Sequence, residues 1–370
     1  MTVRREQRWE LGIVILALVL LPGISAAQKS ILPKECVDCH GSETKYPVRG
    51  ARTQYLTSGH KNLGNASYAN SDDCQGCHTN EGFIERVKKG SVDTKKSVRY
   101  PSEIGCFTCH APHETGNFSL RKTAAVKLAN GVTFDRGKGN LCASCHQARR
   151  TPKDEVKARN IPTSSWGAHH GPQADMLAGT NAYELPGEKY SKSVHAALTQ
   201  AECVTCHMTL PNGRYSLSPA IGGHSFSLEG EVHEQRVLNT AGCLTSGCHT
   251  QMKQVKGAPF FDRKAPADYD GNGRTETIQQ EVQGLYERLL NNKGTGLLQT
   301  MKNPIYDAKG NFIENNKTQY PVAVVGALYN YKFVKEDGSK GIHNTTYAVQ
   351  LLMDSIKSLN KNFDDSKRPQ

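Results

Sequence analysis

Twelve cysteines in this chain fall into six pairs, and histidine follows the second member of each pair. Five pairs have the spacing C-x-x-C-H: Cys36, Cys39 and His40; Cys74, Cys77 and His78; Cys106, Cys109 and His110; Cys142, Cys145 and His146; Cys203, Cys206 and His207. The sixth, Cys243 and Cys248 with His249, has four residues between its cysteines. No cysteine is left over. C-x-x-C-H is the attachment pattern for c-type haem. Each thiol adds to one porphyrin vinyl group, and the adjoining histidine supplies the proximal iron nitrogen. A four-residue spacer makes a longer turn that still meets the same two vinyls. A zinc ribbon has no reason to place histidine after every second cysteine. A thioredoxin-type redox site does not recur six times without a strand–helix context. The chain is therefore expected to carry six haem c.

Six irons need up to six distal ligands. Of fourteen histidines, six belong to motifs and eight remain. The expected distal ligands are His60, His113, His170, His195, His224 and His343. His113 lies three residues past His110, so it suits a neighbouring haem better than its own. His224 stands in GGHSF, where glycines permit close approach to a flat macrocycle. His343 precedes the last helix and would dock the tail by donating a ligand. Between His169 and His170 the expectation is His170, and His233 is the expected spare. Met176 is the methionine least unsuited to replace a histidine, which would raise that haem's potential.

Asp268, Asp270 and Asn272, followed by Gly273, begin like a calcium loop of the form D-x-D-x-N-G. Its twelfth position is Gln279, where a bidentate Glu is expected. A polar turn capping the next helix is the competing interpretation.

The N-terminus has a basic start, the apolar run LGIVILALVLL and a small-residue end at Ser25-Ala26-Ala27. This matches a secretory signal over 1–27, and the run is short for a bilayer span. No stable membrane span is expected after cleavage. The destination is the periplasm or the cell surface, where haem attachment follows export. The formal charge of +11 could suggest nucleic acid. About twelve haem propionates offset it, less about +1 for each ferric porphyrin. No nucleic-acid partner is expected.

Aromatic residues make up 7% and apolar residues 37% of the chain, a thin protein core for this length. The fold class expected is mainly α with much irregular coil, a haem-built core over 28–250, and a helical tail over 251–370 docked upon it. In the tail, Ile278, Val282, Leu285 and Leu289 share one helical face. A second helix should begin near Pro321, and a third after the N-cap candidate Asn344.

The six motifs resemble a hexahaem c-type cytochrome, and multihaem cytochromes tolerate the longer sixth spacing. Further stretches resemble bacterial and archaeal multihaem cytochromes of respiratory and extracellular electron transfer: SGH before CQGCHTNEGF, HHGPQADML, GGHSF and GIHNTTYAVQLL. The resemblance covers most of 30–360. It implies an electron carrier with bis-His irons, passing electrons to other redox proteins or an extracellular acceptor. It also makes His60, His224 and His343 distal ligands. Some members polymerise, and a filament subunit would leave one histidine, such as His60, far from any iron of its own chain. The alternative is a multihaem reductase of a small nitrogen or sulfur oxyanion with one open iron. The pentahaem nitrite reductases carry a CxxCK haem, which this chain lacks, and the histidine surplus favours the carrier over the enzyme.

Overall fold

Among the described residues, short helices joined by coil carry the second to fifth cysteine motifs, and the sixth lies in turns. The computed structural model describes residues 48–63, 74–89, 101–111, 118–199, 202–213, 218–232, 234–245, 247–256, 258–314 and 317–370. In chain order the helices are α1 (Val48–Thr57), α2 (Gly59–Leu63), α3 (Gln75–His78), α4 (Asn80–Lys89), α5 (Cys106–Cys109), α6 (Gly139–Ala143), α7 (Pro152–Ala158), α8 (Gln173–Ala178), α9 (Val194–Ala197) and α10 (Cys203–His207). Two antiparallel hairpins stand among them. One pairs β1 (Val126–Lys127) with β2 (Thr133–Phe134), with Val126 opposite Phe134. The other pairs β3 (Glu229–Val232) with β4 (Gln235–Leu238). Helices of one or two turns gain little from their own hydrogen bonds. They persist through what they pack against.

The tail is built differently. It holds α11 (Ile278–Leu289), α12 (Leu297–Thr300), α13 (Val322–Asp337) and α14 (Thr345–Leu359). The α11 helix starts in a capping box, with Thr277 accepting from the Gln280 amide. Ile278, Val282, Leu285 and Leu289 form its buried face, as their spacing predicts. Pro321 caps α13, and Gly338 ends it in the left-handed region. The Asn344 side chain caps α14 by accepting from the Tyr347 amide. The α13 helix is apolar almost all round because it is covered on several sides, by α14, α7, α8 and α11.

Leu285, Leu328, Phe333 and Leu351 share one apolar core with Val156, Ile161, Trp166 and Met176. The core thus crosses residue 250 and ties the tail to the segment between the fourth and fifth motifs. Asn330 lies fully buried within it. Its carboxamide accepts from the Tyr183 amide and donates to the Tyr183 carbonyl and to Ser355 Oγ. All its polar atoms are thereby used, which a buried amide requires. Apart from Val48 and Arg49, the described residues belong to one compact unit, Gly50–Gln370. Among the described residues no helix is long and apolar enough to cross a membrane.

Candidate haem-binding centres

The motif backbones share one bond. The His78 amide donates to the Cys74 carbonyl at 3.0 Å, His110 to Cys106 at 2.9 Å, and His146 to Cys142 at 2.9 Å. In the longer sixth motif the His249 amide donates to the Cys243 carbonyl at 3.0 Å. The extra residues are looped out through Gly247, whose φ of +83° suits glycine. The first cysteine and the histidine therefore keep the same backbone relation with either spacing. Among the described residues all ten motif cysteines are free of disulfides, so both thiols of each motif remain available for thioethers.

Five motif histidines each face one histidine from outside the motifs. His78 lies opposite His169 with ring centres 6.5 Å apart, His110 opposite His224 at 6.2 Å, and His146 opposite His60 at 5.9 Å. His207 faces His343 at 6.2 Å, and His249 faces His195 at 6.0 Å. An iron between two imidazoles, with metal–nitrogen bonds of about 2 Å and about 1 Å from each nitrogen to its ring centre, needs ring centres about 6 Å apart. The donor set and its spacing therefore fit haem c.

Hydrogen bonds settle which ring nitrogen faces inward. His110 Nδ1 donates to the Phe118 carbonyl at 2.8 Å, His207 Nδ1 to that of Phe226 at 2.9 Å, and His195 Nδ1 to that of Ile342 at 2.6 Å. His146 Nδ1 donates to Gln173 Oε1 at 3.1 Å. The orientation of that amide is fixed because Gln173 Nε2 donates to the Glu336 and Asp337 carbonyls. His343 Nδ1 donates to Asp337 Oδ1 at 2.6 Å. Partners that only accept keep the proton on Nδ1 and leave the Nε2 lone pair for a metal.

Burial keeps most of these rings neutral, as ligation requires. It pushes His60 down to about 4, with His146 adding to the effect. His169 also falls to about 4, through burial first and then Arg149, His170 and His78. Burial likewise lowers His146, His207, His224 and His249. His343 is the exception. Burial pulls it down, but Asp337, by charge and hydrogen bond, and more weakly Cys203, carry it above its usual value.

Local backbone explains several placements. His224 stands in a 3-10 turn after Gly222 (φ +68°) and Gly223 (φ +54°). A Cβ on Gly223 would lie 2.2 Å from Gln54 Oε1, the same oxygen that accepts from the His224 amide. The turn thus presses against α1, next to the α2 helix that carries His60.

The choice of His170 needs correction. His169 is the ring opposite His78, and His170 is turned outward, its side chain 68% exposed and bonded to Glu336. A left-handed backbone at His169 (φ +71°) separates the directions of the two neighbours. No periodicity in the sequence encodes that. Met176 is fully buried in the apolar core rather than presented to a motif. Cys36, Cys39, His40, His113 and His233 lie outside the described residues, as does the 1–27 leader.

Neighbouring motifs touch in an order different from the chain order. His169, which faces His78 of the second motif, leads into Gly171, where an added Cβ would lie 3.6 Å from the Cys145 carbonyl of the fourth. Cys203 Sγ lies 3.9 Å from the Gly139 carbonyl, bringing the fourth motif's helix against the fifth motif. An added Cβ on Gly242 would lie 2.7 Å from Cys206 Cα, which sets the sixth motif against the fifth. The Phe226 ring lies 4.7 Å from His60 and 5.8 Å from His224, between the fourth and third centres.

Asp268, Asp270 and Glu281 place carboxylate oxygens within 4.8 Å of one another, all three residues buried. Glu281 takes the place expected of Gln279, whose Oε1 instead accepts from the Phe261 amide. Asn272 sits beside them, its Nδ2 donating to Asp270 Oδ2. Burial, then the Glu281 and Asp268 carboxylates, raise Asp270 to about 6.

No family model matches the chain. It is similar to the C-type polyheme cytochrome OmcB of Geobacter sulfurreducens, 24% identical over 313 residues, which covers 76% of this chain and 37% of OmcB. The C-type polyheme cytochrome OmcC of the same organism is 22% identical over 337 residues, 76% of this chain and 42% of OmcC. The chain thus spans less than half the length of these curated relatives. Among solved structures, the outer cell wall cytochrome OcwA has a TM-score of 0.49 at 20% identity, covering 84% of this chain and 50% of that one. Across three quarters of its length, this sequence is similar to polyhaem c-type cytochromes.

Proposed function

We propose that this chain transfers electrons through six haem c groups outside the cytoplasm, in respiration, between redox proteins or toward an extracellular acceptor. The observation that carries this reading is the set of five histidine pairs within the chain, each uniting a motif ring with a non-motif ring at 5.9–6.5 Å. The sixth attachment site is Cys36, Cys39 and His40, with His113 as its proposed distal partner. Bound haem supplies one-electron chemistry at iron. The cysteine pairs would hold each group through two thioethers, and the paired histidines would ligate its iron and exclude other ligands. The motif contacts support a file of attachment sites running second, fourth, fifth, sixth, with the third beside the fourth.

A reductase needs an open iron. Among the described residues all five motif histidines face another histidine, so an open position would have to lie at the Cys36–His40 site. The polyhaem relatives likewise favour electron transfer. His60, the ring a filament subunit would leave unmatched, pairs within the chain with His146. This supports a self-contained unit and leaves the first motif as the place where a homopolymer would share a ligand.

Calcium is the second group proposed. Asp268, Asp270 and Glu281 would supply hard oxygen ligands, with Asn272 beside them, and pin the 268–281 loop to α11.

The ligand assignment is tested with His169→Ala and His170→Ala in the haem-loaded protein. One iron should become high-spin in the first variant and none in the second. The reverse result would sink the assignment.

A further inference from the structure

Among the paired rings His110, His146, His195, His207 and His343, the last differs from the rest. His110, His146, His195 and His207 donate Nδ1–H to neutral oxygens. His343 donates to a carboxylate, and that carboxylate has 0% side-chain exposure. Asp337 is the last residue of α13. A negative charge there opposes the helix dipole, so the position is unfavourable for structure alone. Among the described residues no lysine or arginine is within ion-pair reach of it. Its other partners are Ser339, whose hydroxyl and amide both donate to Oδ2. Ser339 Oγ in turn accepts from the His343 amide, so one short loop locks carboxylate and ring together.

We propose that Asp337 is the residue that makes the haem held by Cys203, Cys206 and His207 the lowest-potential of the five centres described. This rests on the ligation reading above, with His343 as the distal ligand. A buried carboxylate on Nδ1–H draws the proton toward itself and raises electron density at Nε2. A more electron-rich ligand stabilises ferric over ferrous iron, and the low-dielectric surroundings strengthen the effect. The neutral oxygens on His110, His146, His195 and His207 do this less. The packing of Cys203 on Gly139 and of Cys206 on Gly242 puts this centre inside the file, not at its end. The same helix end also reaches the fourth centre. The Asp337 carbonyl accepts from Gln173, whose Oε1 accepts from His146.

The test is a spectroelectrochemical titration of the haem-loaded full chain, with spin state read by electron paramagnetic resonance. Asp337→Asn should move one reduction step to higher potential, leave the others in place and keep haem content and low spin. Ser339→Ala removes a donor that drains the carboxylate and should move the same step lower. That opposite sign is something a merely structural role would not give, and it serves if Asp337→Asn fails to accumulate. Glu336→Gln, next in sequence but bonded to exposed His170, should not move that step. Unchanged steps in both Asp337→Asn and Ser339→Ala would overturn the proposal. So would an upward shift of a step that was not the lowest. His343→Ala separates the two levels: it should turn one iron high-spin. If it does so while Asp337→Asn shifts nothing, the tuning role alone falls. If it leaves every iron low-spin, the ligation reading falls and the tuning role with it.

Discussion

The His249 amide donates to the Cys243 carbonyl at 3.0 Å, as the His146 amide donates to that of Cys142 at 2.9 Å. The first spans six residues and the second four, yet both close on the same bond between the histidine amide and the first cysteine's carbonyl. Only the loop through Gly247 absorbs the difference. Replacing both Cys243 and Cys248 by alanine should therefore lower covalent haem from six to five, counted by intact mass. Six retained haems would show that this motif attaches none.

The relative orientation of paired rings should be visible spectroscopically. Ring planes cross at 80° to 86° for His78–His169, His60–His146 and His195–His249. They cross at 38° and 45° for His110–His224 and His207–His343. Axial imidazole planes set how far the iron d orbitals split, so near-perpendicular rings give more anisotropic low-spin signals. His343→Ala should remove intensity from the rhombic class and His60→Ala from the anisotropic class. Loss from the opposite class in either variant would contradict these pairings.

The motifs and the tail helices were legible for the same physical reason. Thioether attachment fixes spacing within a few residues, and the face formed by Ile278, Val282, Leu285 and Leu289 repeats with the helix. The distal pairs were legible only as a surplus. His207 meets His343 and His195 meets His249 through tertiary packing, which local spacing does not encode. His169 and His170 are neighbours, and a single left-handed residue decides between them. The spatial order of the motifs was hidden for the same reason, because His78 of the second meets His169, which lies beyond the third and fourth in sequence. Composition also hid the core over 148–363, since averaging over the whole chain diluted the apolar tail.

Asn330 gives a stability test that leaves the haem ligands alone. Asn330→Leu removes the partners of the Tyr183 amide, the Tyr183 carbonyl and Ser355 Oγ inside the core. Each buried group left unpaired costs about 1–3 kcal/mol. The thermal midpoint should fall by several degrees while the haem spectrum of the folded protein stays unchanged. An unaltered midpoint would mean that these bonds are not what joins the tail to the 181–184 segment.

The acidic loop predicts a metal-dependent stability. Adding calcium to chelator-treated protein should raise its thermal midpoint, and Asp268→Ala or Glu281→Gln should abolish the rise. Gln279→Ala should keep it, because Gln279 faces Phe261. A midpoint indifferent to calcium would leave the loop as a hydrogen-bonded cap on α11.

The central claim is that this chain offers both axial positions of its irons to histidine. Electron paramagnetic resonance of the oxidised, fully loaded protein, integrated against haem content, tests it most directly. The account predicts that all six irons are low-spin. A stoichiometric high-spin signal from one haem would contradict it and would point to an open iron able to bind a substrate.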